Sequence, residues 1–273
     1  MCFIVPFGPT SGHRTLKLVG LIHREHATRS TAAIYRAATG NAVRLLHEFE
    51  ADFIQIQGDG TFGLFWGDQA VERAVCAGIT IKTFSQRHLE PKLESKWPDA
   101  PKTGFKVGVA IGRVLVKNIG TPRNSNEQEP IWAGKPVNYA AKAAQQANRR
   151  ELIVTGSIWL AIEDNDFLTT SCGHGPTPED QAESPAPLWT DVTIEKLDHD
   201  EDEAAGRVLT TQWCAECGPA FVTAILNGQT KRDSLDGVRA LATSTEDPLR
   251  AARWARMRKN LAGWRDEDSA RRL

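Results

Sequence analysis

The sequence has 273 residues, with 33 Lys plus Arg against 34 Asp plus Glu and 41% apolar side chains. That is an ordinary globular composition, sized for one large domain or a domain with an appendage. A formal net charge of −1 supplies no positive field to gather phosphate, which argues against nucleic acid as the main partner. No run approaches the ~18 apolar residues of a membrane span. The opening MCFIVPFGPTSG lacks the basic segment and cleavage site of a signal peptide. Five scattered cysteines, Cys2, Cys76, Cys172, Cys214 and Cys217, fit a reducing compartment, so the expected localisation is cytoplasmic.

In chain order, Ser30 to Phe49 reads as a helix capped by Ser30 or Thr31, with Ile34, Ala38, Ala42, Leu45 and Phe49 as its apolar stripe. DFIQIQ-GDG-TFGLFW follows as two alternating runs around a Gly-Asp-Gly tip, a hairpin signal. Asp68 to Arg87 reads as helix and Gly104 to Val116 as strand. A polar loop from Thr121 to Glu129 leads to a helix that begins near Pro136. ELIVT is a further strand and GSIWLAI a short helix. The fold class is α+β, helices on one face of a mainly antiparallel sheet. Three regions follow: residues 1–162, apolar and periodic; 163–206, acidic and Pro-containing; and 207–273, a strand and helix appendage that ends basic. The middle region holds thirteen acidic residues against one Lys and reads as a solvated excursion without a core of its own.

Two features can carry chemistry. Asp59 stands at the hairpin tip between glycines, where a carboxylate has open space and suits a hard cation that also binds phosphate. Gly-Asp-Gly is also plain turn chemistry. Strand alternation gives Gln55, Gln57 and Asp59 one side and Ile54 and Ile56 the other. Asn138 and Lys142 are four apart on the later helix and therefore neighbours, with Gln145 continuing their row. Val137, Ala141 and Ala144 form the row expected to meet the sheet. An amide beside a cation near a helix start can hold a triphosphate and its ribose, or can be a solvated face.

Taken together, GDGTFGLFWGD, FKVGVAIGRVLVKNIG, WAGKPVNYAAK and ELIVTGSIW resemble the core of class III nucleotide cyclases in order and spacing, over residues 30–160. The resemblance implies a ferredoxin-like, palm-type core that works as a head-to-tail homodimer with the active site at the seam. It implies attack of the ribose 3′-oxygen on the α-phosphorus of a nucleoside triphosphate, with Mn²⁺ or Mg²⁺ as cofactor. Asp59 matches the family's second metal Asp, and Asn138 its ribose-orienting Asn. Lys142 stands where Arg is usual. That exchange, with W-A-G-K-P-V-N, is closest in pattern to the bacterial pyrimidine (Pycsar) cyclases of antiphage defence, whose product activates a separate effector.

At the base-reading positions, three residues before Gly58 and three before Gly134, stand Gln55 and Ile131. Neither purine-reading pair of the family is present. One amide beside an apolar wall fits a pyrimidine, so UTP or CTP is the expected substrate, UTP favoured. The family's first metal Asp falls near Thr15, in Gly12-His13-Arg14-Thr15, where no carboxylate stands; Glu25 is the first acidic residue of the chain. Three readings follow: a strand and its Asp upstream of Met1, a site with one side-chain carboxylate, or a catalytically silent cyclase homologue that binds nucleotide or a partner without turnover. Cys214-Ala-Glu-Cys217 with Cys172 and His174 can form a Cys₃His zinc site, but a single CxxC is a weak signal. The preferred reading there is packing by Trp213, Cys214 and Phe221.

Overall fold

The Gly-Asp-Gly tip forms the tight hairpin that its sequence predicts. In the computed structural model, which describes residues 2–9, 27–99, 102–121, 124, 127–174 and 184–233, β2 (Phe53–Gln57) and β3 (Gly60–Leu64) pair antiparallel with Gln57 opposite Gly60. Only Gly58 and Asp59 turn the chain, and Gly58 takes φ +61°, the left-handed region that glycine enters without penalty. The described residues pack as two units, Met1–Val154 and Thr155–Leu273, so the division falls ahead of the boundary expected at 162.

The sheet of the first unit runs β2-β3-β1-β5-β8. Strand β1 (Cys2–Pro9) pairs antiparallel with β3 and with β5 (Val107–Ala110), and β5 pairs parallel with β8 (Leu152–Val154). Strand β4 (Thr103–Phe105) continues β5 in one register along β1, with Phe7 opposite Phe105 and Ile4 opposite Gly108. The interruption at Lys106 falls opposite Pro6, which has no N–H to offer the ladder. The strand expected over Gly104–Val116 is therefore three pieces: it is interrupted at Lys106, breaks after Ala110 and resumes as β6 (Leu115–Gly120). Among the described residues, strand β6 pairs only with β7 (Gln128–Ala133), as a separate two-stranded arm.

Helix α1 (Ala27–Glu48) starts ahead of Ser30 and Thr31, so neither caps it. Ala38, Ala42, Leu46 and Phe49 are buried, and Leu46 replaces Leu45 in the expected stripe. Gly63 of β3 admits it: a Cβ there would meet Leu46 at 2.9 Å. Helix α2 (Ala70–Phe84) passes through one wide turn, Ser85–Leu89, into α3 (Glu90–Lys96). Helix α4 (Lys135–Gln146) carries Pro136 in its first turn, where a missing N–H costs nothing. Register through β1 puts Gly108, Phe62 and Gln55 on one face and Gly63 and Ile54 on the other. Helix α4 lies over the Gly108 side and α1 over the Gly63 side, so helices flank this sheet from both sides rather than from one.

In the second unit, α5 (Gly156–Ile162) and α6 (Asp166–Thr169) precede β9 (Trp189–Thr193); α7 (Glu201–Ala204), β10 (Ala205–Leu209) and α8 (Gly218–Leu226) follow it. Strands β9 and β10 pair antiparallel. Leu168, Trp189, Ile194 and Leu197 are buried. The region 163–206 thus contributes core side chains where an uncored excursion is expected; within it, 175–183 lies outside the described residues. The acidic composition concealed this, because most of its described carboxylates are at least half-exposed. Asp166 and Glu203 are the buried exceptions; Glu203 lies against Ser157 at the start of α5 with Ser157 Oγ donating to it, and burial pushes its carboxyl up. Among the described residues, no helix is long and apolar enough to cross a membrane.

Candidate functional site

Asp59 sits half-exposed at the hairpin tip, and a Cβ built on Gly58 meets nothing within 4 Å. Strand β1 passes this tip with Pro6 opposite Gly60, and residues 2–9 contain no carboxylate. Gly12, His13, Arg14, Thr15 and Glu25 lie outside the described residues. Asp59 is thus the carboxylate that the hairpin itself brings to the site. The other acid of the hairpin, Asp52, precedes β2 at the end away from the tip and is engaged in structure, its Oδ2 accepting from the Trp66 N–H at 2.8 Å and standing 3.6 Å from Arg73.

Gln55 pairs with Phe62 across the hairpin and is half-buried. It shares its side of the strand with Phe53, as alternation requires. Ile56, expected to face a covered layer, is 56% exposed, because α1 reaches Gly63 but leaves the tip uncovered. Hence the end of the hairpin projects beyond its supporting helix.

Asn138 is exposed and Lys142 half-buried on α4, with Gln145 exposed in the same row. The face of α4 that meets the sheet is Tyr139, Ala140, Ala143 and Ala144, not Val137 and Ala141, which remain half-exposed. The cause is Gly108. A Cβ there would stand 2.1 Å from the Ala140 carbonyl oxygen and 2.5 Å from the Ala144 nitrogen, so the helix backbone rests directly on the strand and fixes its own rotation. That rotation turns Asn138 and Lys142 outward, on the same side of the sheet as Gln55. Lys135 and Lys142 each place their ammonium 5.9 Å from the Tyr139 ring centroid, within cation–π range. Two cations and an amide therefore gather on the first turns of one helix, an arrangement suited to anionic oxygens.

The arm supplies an apolar wall. Ile131 on β7 is 47% exposed, and Trp132 beside it points to the opposite side, its ring tilted against Phe53 at 4.6 Å and stacked on Trp66 at 6.3 Å between centroids. The Trp132 indole N–H is buried and has no hydrogen-bond partner among the described residues. Trp132 packs on the Phe53 side, while Ile131 shares the opposite face of the arm with Leu115 and Ile119 of β6, all exposed; Val116, opposite Trp132, is exposed on the other face. Trp132 and Tyr139 are site-forming residues that sequence reasoning passed over. Trp132 was discoverable, since alternation along β7 sends it to the side opposite Ile131.

No family model matches the sequence. Among curated proteins, the chain is 50% identical over 223 residues to a protein named uridylate cyclase from Micromonospora echinofusca, covering 81% of this chain and 70% of that protein. It is 53% identical over 213 residues to another of that name from Propioniciclava tarda, covering 77% and 66%. The matched stretch thus spans about two thirds of those relatives' own length. Among solved structures, the fold is similar to the adenylyl cyclase CyaB from P. aeruginosa, at a TM-score of 0.50 and 14% identity over 68% of this chain and 89% of that one. That likeness establishes an α+β class III cyclase fold.

Proposed function

The chain belongs to the uridylate cyclase family, and from that premise we propose that it converts UTP to 3′,5′-cyclic UMP and pyrophosphate. The ribose 3′-oxygen forms its bond to the α-phosphorus, the α–β phosphoanhydride bond breaks, and the 3′-hydroxyl proton is lost to solvent. What carries the reading is the coincidence of this kinship with a hairpin carboxylate, Asp59, and an outward Asn138–Lys142 row, both set by local backbone geometry.

In this reading the working unit is a head-to-tail homodimer. Its support is the apolar arm, where Leu115, Ile119 and Ile131 lie exposed on one face and Val116 on the other, exposed apolar side chains of the kind that gather at an interface. Asn138 steadies the ribose, and Lys142 places positive charge at the developing phosphorane, both acting across the seam on a triphosphate held at Asp59 of the other copy. Gln55 and Ile131 line the base. The Gln55 amide both donates and accepts, and the apolar wall leaves a purine-reading carboxylate out. Asp59 fits one Mn²⁺ or Mg²⁺, which when bound supplies neutralisation of the triphosphate charge. The substrate's own oxygens complete its shell. By resemblance to Pycsar cyclases, the product serves cytoplasmic antiphage signalling through a separate effector.

One observation favours a second reading, a silent homologue that binds nucleotide without turnover: β1 brings no carboxylate beside Asp59. Incubation of the purified chain with Mn²⁺ and each of the four ribonucleoside triphosphates, followed by chromatography, decides between them. Cyclic UMP that is absent from an Asp59→Asn control supports the cyclase. Cyclic AMP as the main product overturns the base assignment, and UTP binding with no product from any triphosphate establishes the silent homologue.

A further inference from the structure

Four metal-binding side chains of the second unit converge far in sequence from every residue assigned above. Cys172 and His174 lie on the loop that follows α6, and Cys214 and Cys217 bracket the turn that leads into α8. His174 Nδ1 stands 3.7 Å from Cys214 Sγ and 3.2 Å from Cys217 Sγ. The four ligand atoms all lie within 4.8 Å of one another. Ligands at the corners of a tetrahedron with Zn–S near 2.3 Å and Zn–N near 2.0 Å stand roughly 3.5–3.8 Å apart, so these side chains already surround a centre of the right size. We propose that Cys172, His174, Cys214 and Cys217 bind a structural Zn²⁺ as a closed Cys₃His site.

Several features fit a metal better than packing or redox chemistry. All four of Cys76, Cys172, Cys214 and Cys217 are free thiols, so no disulfide spends the CxxC pair. The turn holds its spacing by backbone bonds, the Gly218 N–H donating to the Cys214 carbonyl and the Phe221 N–H to the Cys217 carbonyl, each at 2.9 Å. His174 presents Nδ1 to the sulfurs while its Nε2 stands 3.6 Å from a Glu216 carboxylate oxygen. That is the outer partner by which a ligating imidazole is oriented and its tautomer fixed. Three soft sulfurs and an imidazole select zinc over the hard cations suited to Asp59. With four protein ligands no position stays open for substrate, so the site is structural, not catalytic. On binding, the three thiols lose their protons to solvent, His174 ligates neutral, and no electron is transferred.

Position gives the site its purpose. It ties the Cys172–His174 loop to a turn some 40 residues later, anchoring one end of α8. Phe221 anchors the next turn of that helix edge-on to Phe167, at 5.3 Å between centroids.

The test is metal analysis of the full chain, untagged, expressed in zinc-supplemented medium and purified without chelator. About one zinc per chain is expected, released together with the thiols by a mercurial reagent. Cys172→Ser and Cys214→Ser each lose most of that zinc, whereas Cys76→Ala keeps it. Should the variants aggregate, the wild-type chain reconstituted with Co²⁺ gives the same information. Tetrahedral d–d bands with thiolate-to-metal charge transfer support the site, and their absence overturns it. Zinc-free protein with all thiols reduced overturns it as well, and so does a Cys214–Cys217 disulfide in alkylated, freshly purified protein.

Discussion

In the first unit the large fully buried side chains include the aromatics Phe65 and Phe105 beside Leu46, Leu64, Ile81, Leu152 and Ile153, whereas those of the second are aliphatic, among them Ile158, Ile162, Leu168, Ile194, Leu197, Leu209 and Ile225. The aromatics of the second unit are tied to polar partners. Trp189 Nε1 donates to the Leu168 carbonyl at 2.8 Å, Trp159 lies under Arg207 at 5.0 Å, and Phe221 under Arg232 at 4.8 Å. A sheet with helices on both sides can bury enough apolar surface to hold site residues on its rim at little cost. A smaller core gains more from cross-links between distant segments. The first unit does carry one buried polar cluster. Glu90, 0% exposed, accepts from Ser85 Oγ at 2.8 Å and pairs with Arg149 at 3.2 Å and Arg150 at 2.6 Å.

Perturbations sharpen this contrast, because those at the rim of the first unit should change turnover and those in its interior should change stability. Asp59→Asn is expected to lower cyclic UMP formation by about 10²–10³-fold with an unchanged circular dichroism spectrum. Lys142→Ala should cost about 10²-fold in kcat with little change in KM, and Lys142→Arg should restore much of it, as steady-state kinetics on UTP will read. Glu90→Ala should destabilise the fold by about 2–3 kcal/mol in urea melts, below the range for fully buried pairs because Arg150 is 39% exposed. Burial lowers the Lys82 ammonium to about 7 from 10.5, against the pull of Glu90. Between those pH values the unfolded chain holds a proton that folded Lys82 has released. Stability therefore rises with pH across that window, and this group adds no slope below it. Denaturant midpoints at pH 7 and 9 should differ by about 2 kcal/mol from this group, and Lys82→Met should remove the slope. Gln55→Ala should reduce kcat/KM for UTP about tenfold and narrow the preference over CTP, measured by competition.

Local chemistry was readable from the sequence and remote packing was not. Gly58-Asp59 announced its own turn, and Pro136 its helix start, because both signals lie within a few residues. The rotation of α4 was not readable: Val137 and Ala141 fit helical spacing as well as Tyr139, Ala140 and Ala143 do. The choice between them is made by Gly108, some thirty residues away. Ser85, Glu90, Arg149 and Arg150 carry no shared pattern and meet only when β4 and β8 align. The cysteine pairs were visible, but their convergence depends on the fold that brings α6 and α8 together. Asp59, Asn138 and Lys142 were legible as candidates because turn chemistry and helix periodicity expose them; Trp132 acquires meaning only against Phe53 and Trp66.

The seat of α4 on Gly108 makes the distance between the Asn138 row and the sheet depend on one missing methyl group. Any side chain at 108 would have to lift the Ala140 carbonyl, 2.1 Å from the added Cβ, by more than an ångström to reach ordinary contact. A displacement of that size at a reacting centre is worth about 10²-fold in rate. Residue 108 therefore acts as a spacer, and a graded series from Gly through Ala to Val would throttle turnover without altering a single polar group.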